Sequence, residues 1–91
     1  MDFEWDEAKN RVNIRKHGIA FEMAQLIFKS TFFTKLDLRN AYGEDRFISI
    51  GKIDDIVVLV VVHTDRNERT RIISARPASR KERQAYYEKT R

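Results

Sequence analysis

From Thr31 to Arg76 the apolar residues recur with a period of two, and the interruptions are too short for anything but hairpins. Runs at Thr31–Leu38, Arg46–Ile53, Ile56–Asp65 and Arg69–Arg76 read as strands, parted by polar turns at Arg39–Asp45, Asp54-Asp55 and Arg66–Glu68. A parallel crossover needs a dozen or more residues, so the sheet is expected to be an antiparallel meander. Elsewhere the pattern is helical. Asp6 is an N-cap for a helix over Glu7–His17, closed by Gly18, and a second, largely apolar helix spans Phe21–Lys29. Pro77 stops the last strand, and Ser79 with Glu82 forms a capping box for a helix over Arg80–Thr90. Phe3–Trp5 reads as a short extended segment. The expected class is α+β, with two N-terminal helices, a four-stranded antiparallel meander sheet and a C-terminal helix. At 91 residues and 42% hydrophobic content, positions 1–91 form one domain.

Treating Asp54-Asp55 as a two-residue loop pairs Ile53 with Ile56, Gly51 with Val58 and Arg46 with His63. An even loop at Arg66–Arg69 pairs Asp65 with Thr70, His63 with Ile72 and Leu59 with Arg76. One face then collects Arg46, Lys52, His63, Ser74 and Arg76, while Arg71 points to the other. Both faces are largely apolar, so helices or a partner must cover much of each. Arg46 and His63 lie at one end of their face and Lys52 and Arg76 at the other, roughly 13 Å apart at about 3.3 Å per residue. A one-residue bulge would exchange the faces.

Residues 61–91 hold nine of the eighteen Lys and Arg against four acids, a local balance of +5, whereas the first sixty balance at −1. The whole chain is +4, with a pI near 9.6, which favours an anionic partner. The absence of cysteine excludes disulfides and fits a reducing, cytoplasmic setting. The N-terminus is acidic and amphipathic, unlike a signal peptide, and the longest apolar run, Ile56–Val62, falls far short of a membrane span. No membrane association is expected.

Two histidines without an H-x-x-x-H pair or clustered carboxylates offer no transition-metal site, and three scattered glycines exclude a P-loop or dinucleotide fingerprint. Asp54-Asp55 is a turn former. Chemistry built from Arg, Lys, His and Tyr suits metal-free RNA cleavage. There a 2′-hydroxyl attacks the adjacent phosphate, a crowded dianion must be stabilised, and the leaving 5′-oxygen must take a proton. His63 has the right kind of pKa for proton transfer, and Tyr86 or Tyr87 is suited to stacking on a base or orienting a hydroxyl. The structural alternatives are a half-buried strand histidine and tyrosines that pack the last helix.

The segments F-E-W-D-E-A-K-N (3–10), K-H-G-I-A-F-E-M-A (16–24), G-E-D-R (43–46) and R-I-I-S-A-R-P-A-S-R-K-E-R (71–83) resemble the BrnT family of type II toxins, in order from about Phe3 to Tyr87. The resemblance implies a RelE-like microbial ribonuclease fold and metal-independent endoribonuclease activity that inhibits translation, with no cofactor. It implies a BrnA-type antitoxin with a ribbon-helix-helix domain, joined to the toxin in a hetero-oligomer and alone responsible for contact with operator DNA. Family members typically carry Ser or Asp where Ala20 stands, so one helix cap is missing, at a cost of about 1 kcal/mol. The resulting candidates for catalysis are His63, Arg76, Arg80, His17 and Tyr87, and those for RNA binding are Arg46, Lys52, Arg66 and Arg71. His17 is alternatively a helix C-terminal cation or a buried, hydrogen-bonded imidazole. Arg71 and Arg76 alternatively pair with acids such as Glu44 or Glu82 and organise the fold. The rival function is a non-catalytic basic module that binds an acidic protein.

Overall fold

The computed structural model describes residues 1–91. Helix α1 (Glu7–His17) starts where the Asp6 carboxylate accepts from the N–H groups of Ala8 at 2.8 Å and Lys9 at 3.2 Å. It ends at Gly18, left-handed at φ 73°, whose N–H donates to the Ile14 carbonyl. What α1 buries is polar: Asn10 and Asn13 face inward, while Val12 and Ile14 stand exposed. Asn13 Nδ2 donates to the carbonyls of Ile19 and Ala75, each at 2.8 Å, and its Oδ1 accepts from the Ala75 N–H at 3.2 Å. The helix is thus docked by amide hydrogen bonds, which also satisfy a sheet-edge backbone that would otherwise be buried unpaired.

The expected second helix is shorter than its sequence pattern. Helix α2 (Phe21–Ala24) tightens into a 3-10 segment over Gln25–Lys29. Ala20 supplies no side-chain cap, and Asn10 Oδ1 takes over, accepting from the Phe21 N–H at 2.8 Å. Phe21, Ala24 and Ile27 go fully into the core.

Strands β1 (Phe3–Glu4), β2 (Phe32–Leu36), β3 (Phe47–Ile53), β4 (Val57–Arg66) and β5 (Arg69–Pro77) form one mixed sheet in the order β1-β5-β4-β3-β2. The expected four-stranded meander is present, and β1 adds a fifth strand parallel to β5. Two residues are too few to show a period, so nothing local announces that pairing. It is secured by the Thr70 N–H donating to the Asp2 carbonyl, by an Arg71–Glu4 ion pair at 2.7 Å and by Phe3 packing on Phe28. Helix α3 (Arg80–Lys89) follows the expected Ser79–Glu82 capping box.

Two register shifts overturn the expected faces. The β3–β4 loop holds three residues, Asp54 to Ile56, because Asp54 and Asp55 both adopt left-handed conformations (φ 52° and 56°). Ile53 therefore pairs with Val57, Gly51 with Leu59 and Phe47 with His63. Asp65–Thr70 and His63–Ile72 pair as expected, but a bulge at Ile73 moves the rest of β5, so Val60 faces Arg76 and Leu59 faces Pro77. Directly paired residues share a face. The first face carries Ser49, Gly51, Leu59, Val61, His63, Ile72 and Ala75 and is sealed by α1, α2 and the 3-10 segment. Gly51 admits the close approach of Ile27, since a Cβ there would meet Ile27 Cβ at 2.8 Å. The second face carries Ile48, Ile50, Lys52, Val58, Val60, Arg71, Ser74 and Arg76. Beneath α3 its core is Ile50, Val58, Val60, Ala78 and Tyr86. No helix is long and apolar enough to cross a membrane.

Candidate functional site

The second face is only partly roofed. Helix α3 crosses one end, and at the other Thr64 Oγ1 donates to the Asp45 carbonyl, tying down the Asp37–Arg46 loop. Between them Ile48, Arg71, Ser74 and Arg76 are half-buried and Lys35 is exposed. Arg76 dominates this opening. Its Nη1 and Nη2 each donate at 2.7 Å to the two Glu82 oxygens, a fork-to-fork pair. Glu82 Oε1 also accepts from the Ser79 N–H at 2.8 Å, so the carboxylate that caps α3 also aims the arginine. These bonds, led by that from Arg76, pull the Glu82 carboxyl down to about 2, and Glu82 raises Arg76 above its usual value. Both are ionised at neutral pH.

A second fork sits in the Asp37–Arg46 loop. Arg39 donates through Nε and Nη2 to the buried Asp37, each at 2.8 Å, and the Tyr42 hydroxyl donates to the same carboxylate at 3.1 Å. The hydrogen bonds from Arg39 hold Asp37 well below the usual carboxylate range, and Asp37 raises Arg39. The charge of Arg39 reaches Arg76, where it opposes the guanidinium. Alongside α3 runs a groove of about 400 Å³ lined by Phe33, Lys35, Lys81, Glu82 and Lys89. Its three lysines have no carboxylate partner, and Lys89 Nζ lies 5.5 Å from the centre of the Phe33 ring.

The sequence candidates separate in space. Arg76 belongs to this opening, and Arg80 is exposed and unpaired at the first position of α3. Arg71 shares the face, contrary to expectation, and is bound to Glu4. His63 does not share it: the revised register turns the ring to the first face, where it is 7% exposed. Its Nε2 lies 2.7 Å from Ser49 Oγ, Nδ1 has no partner, and burial lowers its pKa. His17 lies in the last turn of α1, against Ile73 and Ser74. Arg46 and Arg66 share Glu44, at 3.6 and 2.9 Å, and Arg46 also covers the Tyr42 ring. Lys52 lies 3.9 Å from Asp55 and 4.9 Å from the centre of the Tyr87 ring. The alternative of fold-organising pairs is therefore realised by Arg76 with Glu82 and by Arg71 with Glu4 instead of Glu44. Lys35, Arg39, Phe33, Lys81 and Lys89 escaped sequence reasoning. The i,i+4,i+8 spacing of Lys81, Ala85 and Lys89 was a usable signal, whereas nothing local marks Arg39.

The chain is thus a small α+β protein with one basic, partly open sheet face. The family model for "Ribonuclease toxin, BrnT, of type II toxin-antitoxin system" matches residues 5–82, and the chain belongs to that family. A crystal structure of the Brucella abortus ribonuclease toxin BrnT is similar at 28% identity, with a TM-score of 0.66 over 88% of this chain and 99% of that one. No curated protein sequence matches.

Proposed function

We propose that residues 1–91 act as one domain, an endoribonuclease toxin that grips RNA on the second sheet face and inhibits translation in the cytoplasm until a BrnA-type antitoxin neutralises it. The antitoxin's ribbon-helix-helix domain would carry all contact with operator DNA, within a hetero-oligomer. The observation that carries the reading is the Arg76–Glu82 fork, fixed in the opening beside the unpaired Lys81 and Lys35, with unpaired Arg80 at the start of α3. A guanidinium oriented in advance stabilises the phosphorane without reorganising during the reaction. Lys35, Lys81 and Lys89 add positive charge along the groove, and Phe33 offers a stacking surface for a base. Proton transfer does not pass through His63, whose ring is enclosed by Phe28 and Phe47. Glu82, ionised at neutral pH, is no general acid, so the acceleration is chiefly electrostatic. Metal independence is part of this reading.

Cleavage of an end-labelled RNA in EDTA tests this. Arg76→Ala and Arg80→Ala are expected to reduce the rate by about 10²-fold or more, with Arg66→Ala close to wild type. Arg76→Lys, melted in parallel, separates lost chemistry from lost structure. Unchanged cleavage in both alanine variants, or growth arrest in bacteria whose RNA stays intact, would sink the proposal in favour of a non-catalytic binding module.

A further inference from the structure

Helix α1 is amphipathic in reverse. It buries asparagines and leaves Val12 50% exposed. Its sequence carries Lys9, Arg11, Arg15 and Lys16 against the single acid Glu7, and none of these cations has a carboxylate partner. Arg39, Arg46, Arg66, Arg71 and Arg76 all have one. Beside α1 lies a groove of about 490 Å³, walled by Lys9, Val12 and Lys16 and backed by Ile73 and Ser74. Ile73 is the bulge residue of β5, left without a cross-strand partner and half-buried. Bulges re-aim side chains, and this one brings an isoleucine toward the exposed valine. Asp6, the one acid on the rim, is already engaged in capping α1.

The groove therefore sets aliphatic surface between ammonium groups. An RNA backbone would use the lysines and leave Val12 and Ile73 wet, whereas a peptide with an aliphatic side chain flanked by carboxylates satisfies both. We propose that the α1–β5 groove is the docking surface for an acidic, aliphatic-bearing segment of the antitoxin. A carboxylate meets Lys9, another meets Lys16, and the aliphatic group packs on Val12 and Ile73. The proposal takes the existence of an antitoxin from the family and does not depend on the RNA face, with which the groove shares only Ser74 of β5.

Calorimetric titration with the purified cognate BrnA-type antitoxin tests it, using Lys9→Glu/Lys16→Glu, Val12→Ser and, as a control, Lys35→Glu/Lys89→Glu. All the substituted side chains are exposed, and thermal melts verify the fold. Each groove variant is expected to weaken the complex by at least ~10-fold while RNA cleavage stays at the wild-type rate, and the control is expected to do the reverse. Antitoxin affinity within twofold of wild type in both groove variants overturns the assignment, as does an equal loss in the control. Impaired cleavage with full antitoxin binding assigns the groove to RNA. Failure of the RNA proposal appears separately, as absent cleavage by the wild-type chain with antitoxin binding intact.

Discussion

His63 shows how one residue's environment decides its chemistry. Phe28 meets its ring edge-on at 5.3 Å, Phe47 stacks at 5.8 Å, and Ser49, itself bonded to Thr34, holds Nε2. Burial is the main cause of its lowered pKa, and Asp65 offsets it in part. The folded protein therefore keeps the imidazole neutral at a pH where the unfolded chain, titrating near 6.5, accepts a proton. This contribution to stability is fully present above pH 6.5 and is lost as the pH falls through 6.5 toward the folded-state pKa. Melting temperatures from pH 8 to pH 5 should drop below that point in wild type and change less in His63→Gln, which keeps a polar partner for Ser49. Parallel curves would show that the histidine is not responsible. At the same scale, Glu82 looks in the sequence like half of a capping box. Its pairing with an arginine was one of two alternatives there, and the folded chain realises it with Arg76, which arrives from another element.

Among the elements, the helix ends were the most legible, since a cap is written within a few residues. Asp6, Gly18 and the Ser79–Glu82 box all sit where local chemistry puts them. The missing cap at Ala20 was legible too, but its partial replacement by the Asn10 amide, reaching across from α1, was not. Ala20 keeps the extended backbone of an N-cap at φ −79°, ψ 147°, so Ala20→Ser fits without strain. It should raise stability by about 1 kcal/mol in urea unfolding, with an unchanged m-value. A gain near zero would mean that Asn10 already provides what a cap can offer. Hairpin loop lengths were harder to read. Asp54 and Asp55 suggested two residues, yet Ile56 joins the loop, exposed. The extra residue, like the bulge at Ile73, carries no sequence mark strong enough to separate it from its alternatives.

At the scale of the molecule, charge is sorted by structure rather than by sequence position. The arginine-dense segment is split, as strand pairing led us to expect: Arg66 is matched to Glu44, Arg71 to Glu4 and Arg76 to Glu82, while Arg80 stays unpaired at the start of α3. The unpaired lysines of the Phe33 groove come from β2 and α3. Single-stranded RNA binding should accordingly weaken with salt, by a slope of about 0.7 per phosphate contact. Lys35→Ala/Lys89→Ala should flatten that slope by about 1.4 in filter binding over a salt series. An unaltered slope would place the RNA elsewhere.

The sequence by itself determined the α+β class, the order of helices and strands, the capped helix ends and the resemblance to a family, because each is recorded in short-range periodicity, in local hydrogen bonding or in contiguous motifs. Tertiary structure alone decided which side chains share a face, that Phe3–Glu4 pairs with β5, and that His63 is buried while Arg76 meets Glu82. The reason is geometric. Side chains alternate along a strand, so a single inserted residue at Ile56 or Ile73 reverses every neighbour that follows, and only the packed sheet settles where it is inserted.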